Sequence, residues 1–196
     1  MKLLFATTNK GKLKEVRKVF SETSFTIVSL EDYPSVPEIV EDGQTFAENA
    51  KIKAKIVYDL FHIPTLADDS GLSVDQLNGE PGVFSARYAG ENATDELNNK
   101  LLIEKLSHFP EPHLAKFICS AVFYDGENFI LAEDIMKGKI INEPRGVNGF
   151  GYDPFFTAEG YSVTNGELSL EEKNKISHRA KAFNRLHEMI REKYQL

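Results

Sequence analysis

The sequence predicts an α/β protein built on a mixed β-sheet. Strand-like and helix-like periodicities alternate through the first half of the chain, the pattern of strands packed against helices. Later, a long alternating segment folds back around "DGEN" (residues 125–128) as a hairpin. The composition is that of an ordinary globular protein, 41% hydrophobic and 27% charged over 196 residues, enough for a sizeable core.

In chain order, "KLLFATT" reads as a strand, followed by a helix from about Gly11 to Ser21 with Leu13, Val16 and Phe20 on one side. "FTIVSL" is a second strand. An acidic, proline-rich loop, "YPSVPEIVEDG", leads to the helix "TFAENAKIKAKIVYDLF", whose start is fixed by Thr45 and Glu48 as a capping box. "TLADD" and "LSVDQL" read as two short strands. "TDELNNKLLIEKL" is a helix with Thr94 as N-cap and Asp95 and Glu96 in its first turn. The hairpin follows, then the "GFGYDPFF" segment, then a last helix from about Ser177 to Lys193. No repeat or linker interrupts the chain, and the sequence predicts a single domain over residues 1–196.

Charge and composition narrow the function. A net charge of −7 argues against a general nucleic-acid binder. No apolar run approaches the ~20 residues of a membrane span, and the start is too short in apolar residues for a signal peptide. The one cysteine, Cys119, excludes an internal disulfide and fits a reducing cytoplasm; set in "FICSAVFY", it reads as core. Charge is segregated. Lys2, Lys10, Lys12, Lys14, Arg17 and Lys18 face one acid, Glu15, at the start. Glu31, Asp32, Glu38, Glu41, Asp42 and Glu48 follow with no Lys or Arg. The first group suits an anionic ligand, the second a cation.

Four places break local rules, and such places mark function. "LADDSG" reads as a buried strand that ends in two adjacent aspartates; either this is a polar turn, or something positive offsets them. In "TTNKGK", Lys10 and Lys12 stand at a helix N-terminus whose dipole prefers acids, as in an anion site; a lysine-rich solvent turn is the alternative. This is not a P-loop, since Ala6 occupies the position of its first glycine and Leu13 follows Lys12. Lys53 falls on the apolar stripe of Phe46, Ala50, Val57 and Phe61. It either snorkels to the edge or meets Asp68, Asp69 or a ligand phosphate. In "SHRAKAF", Arg179 opens a helix against its dipole and on the interior side, which suits a ligand acceptor or a surface arginine.

Taken together, "ATTNKGKLKEV", "EDGQTFAENAKIKA", "ADDSGLSVDQLNGEPGVFSARYAG", "GFGYDPFF" and "EEKNKISHRAKA" resemble the inosine triphosphate pyrophosphatase family, nearly end to end. One departure is Gly146-Val147-Asn148-Gly149, where that family usually has Gly-Thr-Gly-Gly. The resemblance implies an elongated mixed sheet with flanking helices and two lobes around a central nucleotide-binding cleft. It implies a homodimer that requires Mg²⁺ and hydrolyses ITP, dITP and XTP to the monophosphate and pyrophosphate. By the same resemblance Thr7, Thr8, Asn9, Lys10, Gly11, Lys12 and Lys53 hold the triphosphate. Glu41 and Asp69 bind the metal, Asp69 and Lys53 are catalytic, and Asp69 activates water. Ser70 and Arg87 lie beside the ligand. Phe150, Gly151, Tyr152, Asp153, Lys173, His178 and Arg179 contact the base.

The residue chemistry agrees with these implied roles. Lysines neutralise phosphates, and Mg²⁺ takes one or two carboxylates plus phosphate oxygens. Inosine and xanthine offer O6 and N7 as acceptors where adenine offers an amino donor, so donors from Lys173, His178 or Arg179 would discriminate against ATP. Phe150 or Tyr152 would stack on the ring. Two alternatives stay open: a pyrophosphatase for another modified nucleotide, and a non-catalytic nucleotide sensor.

Overall fold

The computed structural model describes residues 1–33, 36, 37 and 39–195. Pro34, Ser35 and Glu38 of the acidic loop, and Leu196, lie outside the described residues. In chain order the elements are β1 (Lys2–Phe5), α1 (Lys10–Val19), β2 (Thr26–Ser29), α2 (Phe46–Phe61), β3 (Thr65–Val74), α3 (Asp95–Leu106), β4 (His113–Tyr124), β5 (Phe129–Ile140), β6 (Phe156–Ala158), α4 (Leu170–Ile176) and α5 (His178–Tyr194). The strands form one mixed sheet in the order β2-β1-β3-β4-β5-β6. β1 runs parallel to β2 and β3, and β5 antiparallel to β6. The α/β expectation holds.

The chain divides into two compact units. The first comprises Met1–Asp69, Cys119–Asp134 and Arg179–Leu196. It has a core on each side of its strands. On one side α1 (Leu13, Val16) and α5 (Ala182, Phe183, Leu186, Ile190) pack on Leu3, Phe5, Cys119, Ala121 and Phe123. On the other, Ala50, Ala54 and Val57 of α2 pack on Leu4, Ala67 and Val122. Each strand therefore sends alternate residues to opposite helices, as the period of two requires. Cys119 is free and fully buried, as expected.

The second unit comprises Ser70–Ile118 and Ile135–His178. Its core joins Leu102 and Leu106 of α3 to Leu72, Val74, Phe117, Met136, Ile140, Tyr152 and Phe156.

Three expectations need correction. "TLADD" and the "LSV" of "LSVDQL" form one continuous ten-residue strand, with Asp75–Leu77 a helical turn after it, so Asp68 and Asp69 lie mid-strand and not at a strand tip. Gly71 suggests a turn, but it marks a close approach: a Cβ there would lie 2.3 Å from Ser85 Oγ and 2.5 Å from the Gly82 carbonyl. The short strand β6 was not expected. Nor was α4, whose polar "LEEKNKI" gives little apolar period, although Ser169 and Glu172 form a capping box.

Candidate active site

In the first unit, β1 ends at Phe5 and α1 begins at Lys10, with Asn9 as N-cap. Asn9 Oδ1 accepts from the Lys12 amide at 3.0 Å, and Thr7 Oγ1 accepts from the Asn9 amide at 3.1 Å. Thr8, Asn9 and Lys10 are exposed, Thr7, Gly11 and Lys12 partly so. The first turn carries no acid. A positive helix end among exposed residues, with two added lysines, favours an anion. Lys10 extends toward Glu31 at 3.7 Å and is largely solvated.

Behind this turn lies a buried cluster of charge. Lys12 Nζ is 3.1 Å from Asp68 Oδ2. Arg179 Nε donates to the same oxygen at 3.1 Å, and its Nη1 donates to Glu15. Lys53 Nζ pairs with Glu41 at 2.9 Å and donates to the Asp68 carbonyl at 3.1 Å. Asn49 Nδ2 donates to Asp69 Oδ2 at 3.0 Å, while its Oδ1 accepts from the Gly43 amide at 2.8 Å. Asn49 thus ties the acidic loop to Asp69. Gly43 permits the approach, since a Cβ would lie 2.7 Å from Asn49 Oδ1.

These contacts explain the paired aspartates. Burial would push Asp68 up, but Lys12, Arg179 and Lys53 overcome it and hold its carboxyl far below the usual range. Asp69 goes the other way. Burial raises its pKa, Glu41 adds to the rise, and Lys12, Lys53 and Asn49 oppose it without cancelling it. Neighbouring carboxylates are thus held apart in acidity, the arrangement found where one of a pair acts as a base. Burial also works against the charge of Arg179, but Glu15 and Asp68 outweigh it and raise its pKa.

Lys53 is buried on the α2 stripe, and its carboxylate partner is Glu41, which was not among the expected partners. Arg179 is neither a surface residue nor, in this unit, an open donor. It is 2% exposed, and its guanidinium meets Glu15 and Asp68.

Sequence reasoning missed Glu15 and Asn49. Both carried a signal: Glu15 is flanked by Leu13 and Val16 of the buried face of α1, and Asn49 lies one turn before Lys53 on the same stripe.

The second unit gathers the residues expected near the base. Lys173 pairs with Asp153 at 2.6 Å, both buried, and its ammonium lies 4.9 Å over the Phe150 ring. Asp153 also accepts from the Phe150 amide at 2.9 Å and from Asn165 at 3.2 Å. Gly149 makes room, since a Cβ would lie 2.2 Å from Asp153 Oδ2. Tyr152 is buried and donates from its hydroxyl to the Ser85 carbonyl at 2.8 Å. His178 is buried and stacks on Phe117, with ring centroids 4.9 Å apart. Arg87 is exposed and lies 5.3 Å over Phe84. Ser70, partly exposed, opens this unit in mid-β3. Of the departing pair, Val147 is 97% exposed, while Asn148 donates to the carbonyls of Gly166 and Leu168.

The first unit's donor set suits a hard divalent cation. Asp68, Asp69, Glu41 and Glu15 face Lys12, Lys53 and Arg179, which leaves one carboxylate in excess among the described residues. No group of three or more His, Cys, Asp or Glu side chains gathers as a protein-only cage among the described residues. Mg²⁺ needs only one or two carboxylates when substrate oxygens and water complete its shell. Glu41 and Asp69 could supply those carboxylates.

The sequence pattern of the Ham1 family matches residues 3–189. The chain is 47% identical over 184 residues to a dITP/XTP pyrophosphatase of Geobacter sulfurreducens, covering 92% of each chain. It is 44% identical to a dITP/XTP pyrophosphatase of Halalkalibacterium halodurans, over 93% of this chain and 95% of that one. A solved HAM1 protein structure from Coxiella burnetii superimposes with a TM-score of 0.88 at 38% identity, covering 98% of this chain and 99% of the other. These likenesses span the charged cluster of one unit and the Phe150–Lys173 group of the other, and by them the chain belongs to the Ham1 family.

Proposed function

We propose that this chain hydrolyses the nonstandard purine nucleoside triphosphates ITP, dITP and XTP to the nucleoside monophosphate and pyrophosphate, clearing them from the nucleotide pool. It is a hydrolase acting on a triphosphate anhydride bond. The curated relatives named above are dITP/XTP pyrophosphatases. The observation that carries the chemistry is the buried cluster around Asp68 and Asp69, set behind a cationic helix N-terminus.

In this reading Thr7 to Lys12 and Lys53 hold the triphosphate. Asp69 takes a proton from the water whose oxygen attacks the α-phosphorus; the bond to the bridging oxygen breaks and pyrophosphate leaves. The raised pKa of Asp69 suits a base. Asn49 keeps that carboxylate oriented. Glu41 and Asp69 would hold Mg²⁺, which when bound neutralises phosphate charge. Positioning and charge neutralisation supply most of the rate.

Ser70, Arg87, Phe150, Gly151, Asp153, Lys173 and His178 are assigned to the nucleoside. Phe150 is the stacking platform in preference to Tyr152, whose ring is buried and whose hydroxyl is committed to Ser85. Arg179 is assigned to holding Asp68, which its Nε meets while its Nη1 meets Glu15. Residues 1–196 would act as one ITPase-like domain in a cytoplasmic homodimer.

Turnover of a nucleoside triphosphate panel with and without Mg²⁺ tests it. Mg²⁺-dependent hydrolysis of ITP and XTP well above ATP is expected. Tight ITP binding with no turnover would point to a sensor, and turnover confined to a modified pyrimidine nucleotide to another substrate.

A further inference from the structure

Helix α3 carries none of the residues assigned to the substrate, yet it grips the segment that does. Asp95 Oδ2 accepts from the Gly151 amide at 2.7 Å. Asn99 Nδ2, one turn on, donates to the Gly151 carbonyl at 2.9 Å. Residues i and i+4 share a helix face, so one face of α3 holds both peptide planes that flank Gly151. Gly151 needs such a hold. Its φ is +61°, and nothing lies within 4 Å of where a Cβ would stand. It is glycine for its conformation and not for crowding, and glycine is the residue with most freedom to lose.

The same helix holds a second segment. Asn98 Oδ1 accepts from the Ala89 amide at 2.8 Å, and its Nδ2 donates to the Ala86 carbonyl at 3.1 Å. Arg87 lies between those two contacts. The Tyr152 hydroxyl then ties the two segments together through the Ser85 carbonyl. Asn98 and Asn99 are buried.

We propose that Asp95 and Asn99 are positioning residues for base selection: they fix the Gly151 backbone and thereby the orientation of the Phe150 ring beneath Lys173. This rests on the proposed function, in which Phe150 meets the base. A platform held from both sides presents one geometry to a purine. Once released, it samples several, which weakens ITP binding and loosens discrimination, while Asp69 and its cluster in the first unit keep their contacts.

Steady-state kinetics of the intact protein on ITP and ATP, with thermal melts, test this in Asp95→Ala, Asp95→Asn, Asn99→Ala and Glu96→Ala. Asp95→Ala and Asn99→Ala are expected to raise KM for ITP about tenfold with little change in kcat, and to narrow the ITP/ATP ratio of kcat/KM. Asp95→Asn keeps an acceptor and should recover part of the loss. Glu96→Ala removes an exposed first-turn acid with the same helix-dipole effect and no Gly151 contact, and should match the parent. A lowered melting temperature with KM and the ITP/ATP ratio unchanged would overturn the inference, as would a parallel loss on both nucleotides. If the parent itself does not turn over ITP, the proposed function falls, and this inference with it.

Discussion

Asp69 and Asp68 are adjacent and both buried, yet their surroundings differ: Asp68 meets Lys12 and Arg179, while Asp69 meets the amide of Asn49 and feels the charge of Glu41. In the proposed mechanism that difference suits Asp69 to act as the base and Asp68 as the anchor. Asp69→Asn keeps the shape and size of the side chain, so it is expected to fold and bind ITP while losing at least ~10²-fold in kcat; turnover assays beside ITP titrations check it, and near-parental turnover would remove Asp69 from the chemistry. Glu15 tests the anchor. Glu15→Ala takes one of two counter-charges from a buried guanidinium and is expected to cost about 3–5 kcal/mol of stability, read by urea unfolding. Lys53 was legible as a cation on an apolar stripe, because helix period alone places it. Of its partners, Asp68 was expected, though the contact is to its backbone carbonyl; Glu41 was not legible, because it lies in an irregular loop that no periodicity positions.

Helices with strong caps were read nearly to the residue: α2 from its Thr45–Glu48 box and α3 from Thr94. The β4–β5 hairpin was legible from alternation on both sides of its turn. β3 was misread because Asp, Ser and Gly form turns locally, whereas here distant Lys12 and Arg179 offset the charge and a packed Ser85 requires the glycine. The hairpin turn also anchors the end of α5. Asp125 Oδ1 accepts from the Glu127 and Asn128 amides, and Tyr194 donates to its other oxygen. Burial works against the Asp125 charge, but the Tyr194 and turn hydrogen bonds outweigh it and bring its pKa from 3.8 down to about 2. A carboxyl depressed in the folded state stabilises fully above its unfolded value and loses that contribution as pH falls toward the folded one. Asp125→Asn is therefore expected to lower stability at pH 6, by less than about 1 kcal/mol because the site is open to solvent. The gap should shrink as pH falls below about 4, in paired urea melts; a gap that widens in acid would contradict the assignment.

The sequence conveyed the α/β character, and its resemblance implied two lobes, but not where the chain divides into its two units. The boundaries fall inside β3, β4 and β5 and after the first residue of α5, where no loop or change of composition marks them. Each unit has its own core and its own polar cluster. Carboxylates and lysines of the first suit phosphate and metal, and the Phe150–Lys173 group of the second suits a purine. The proposed reaction has water attack the α-phosphorus and the intact pyrophosphate leave in one step. Phosphorus NMR of ITP turning over with Mg²⁺ reads this outcome. IMP and pyrophosphate appearing together in equal amounts, with no IDP at any time, is the expected result. Orthophosphate as first product with accumulating IDP would contradict it and make the chain a γ-phosphatase.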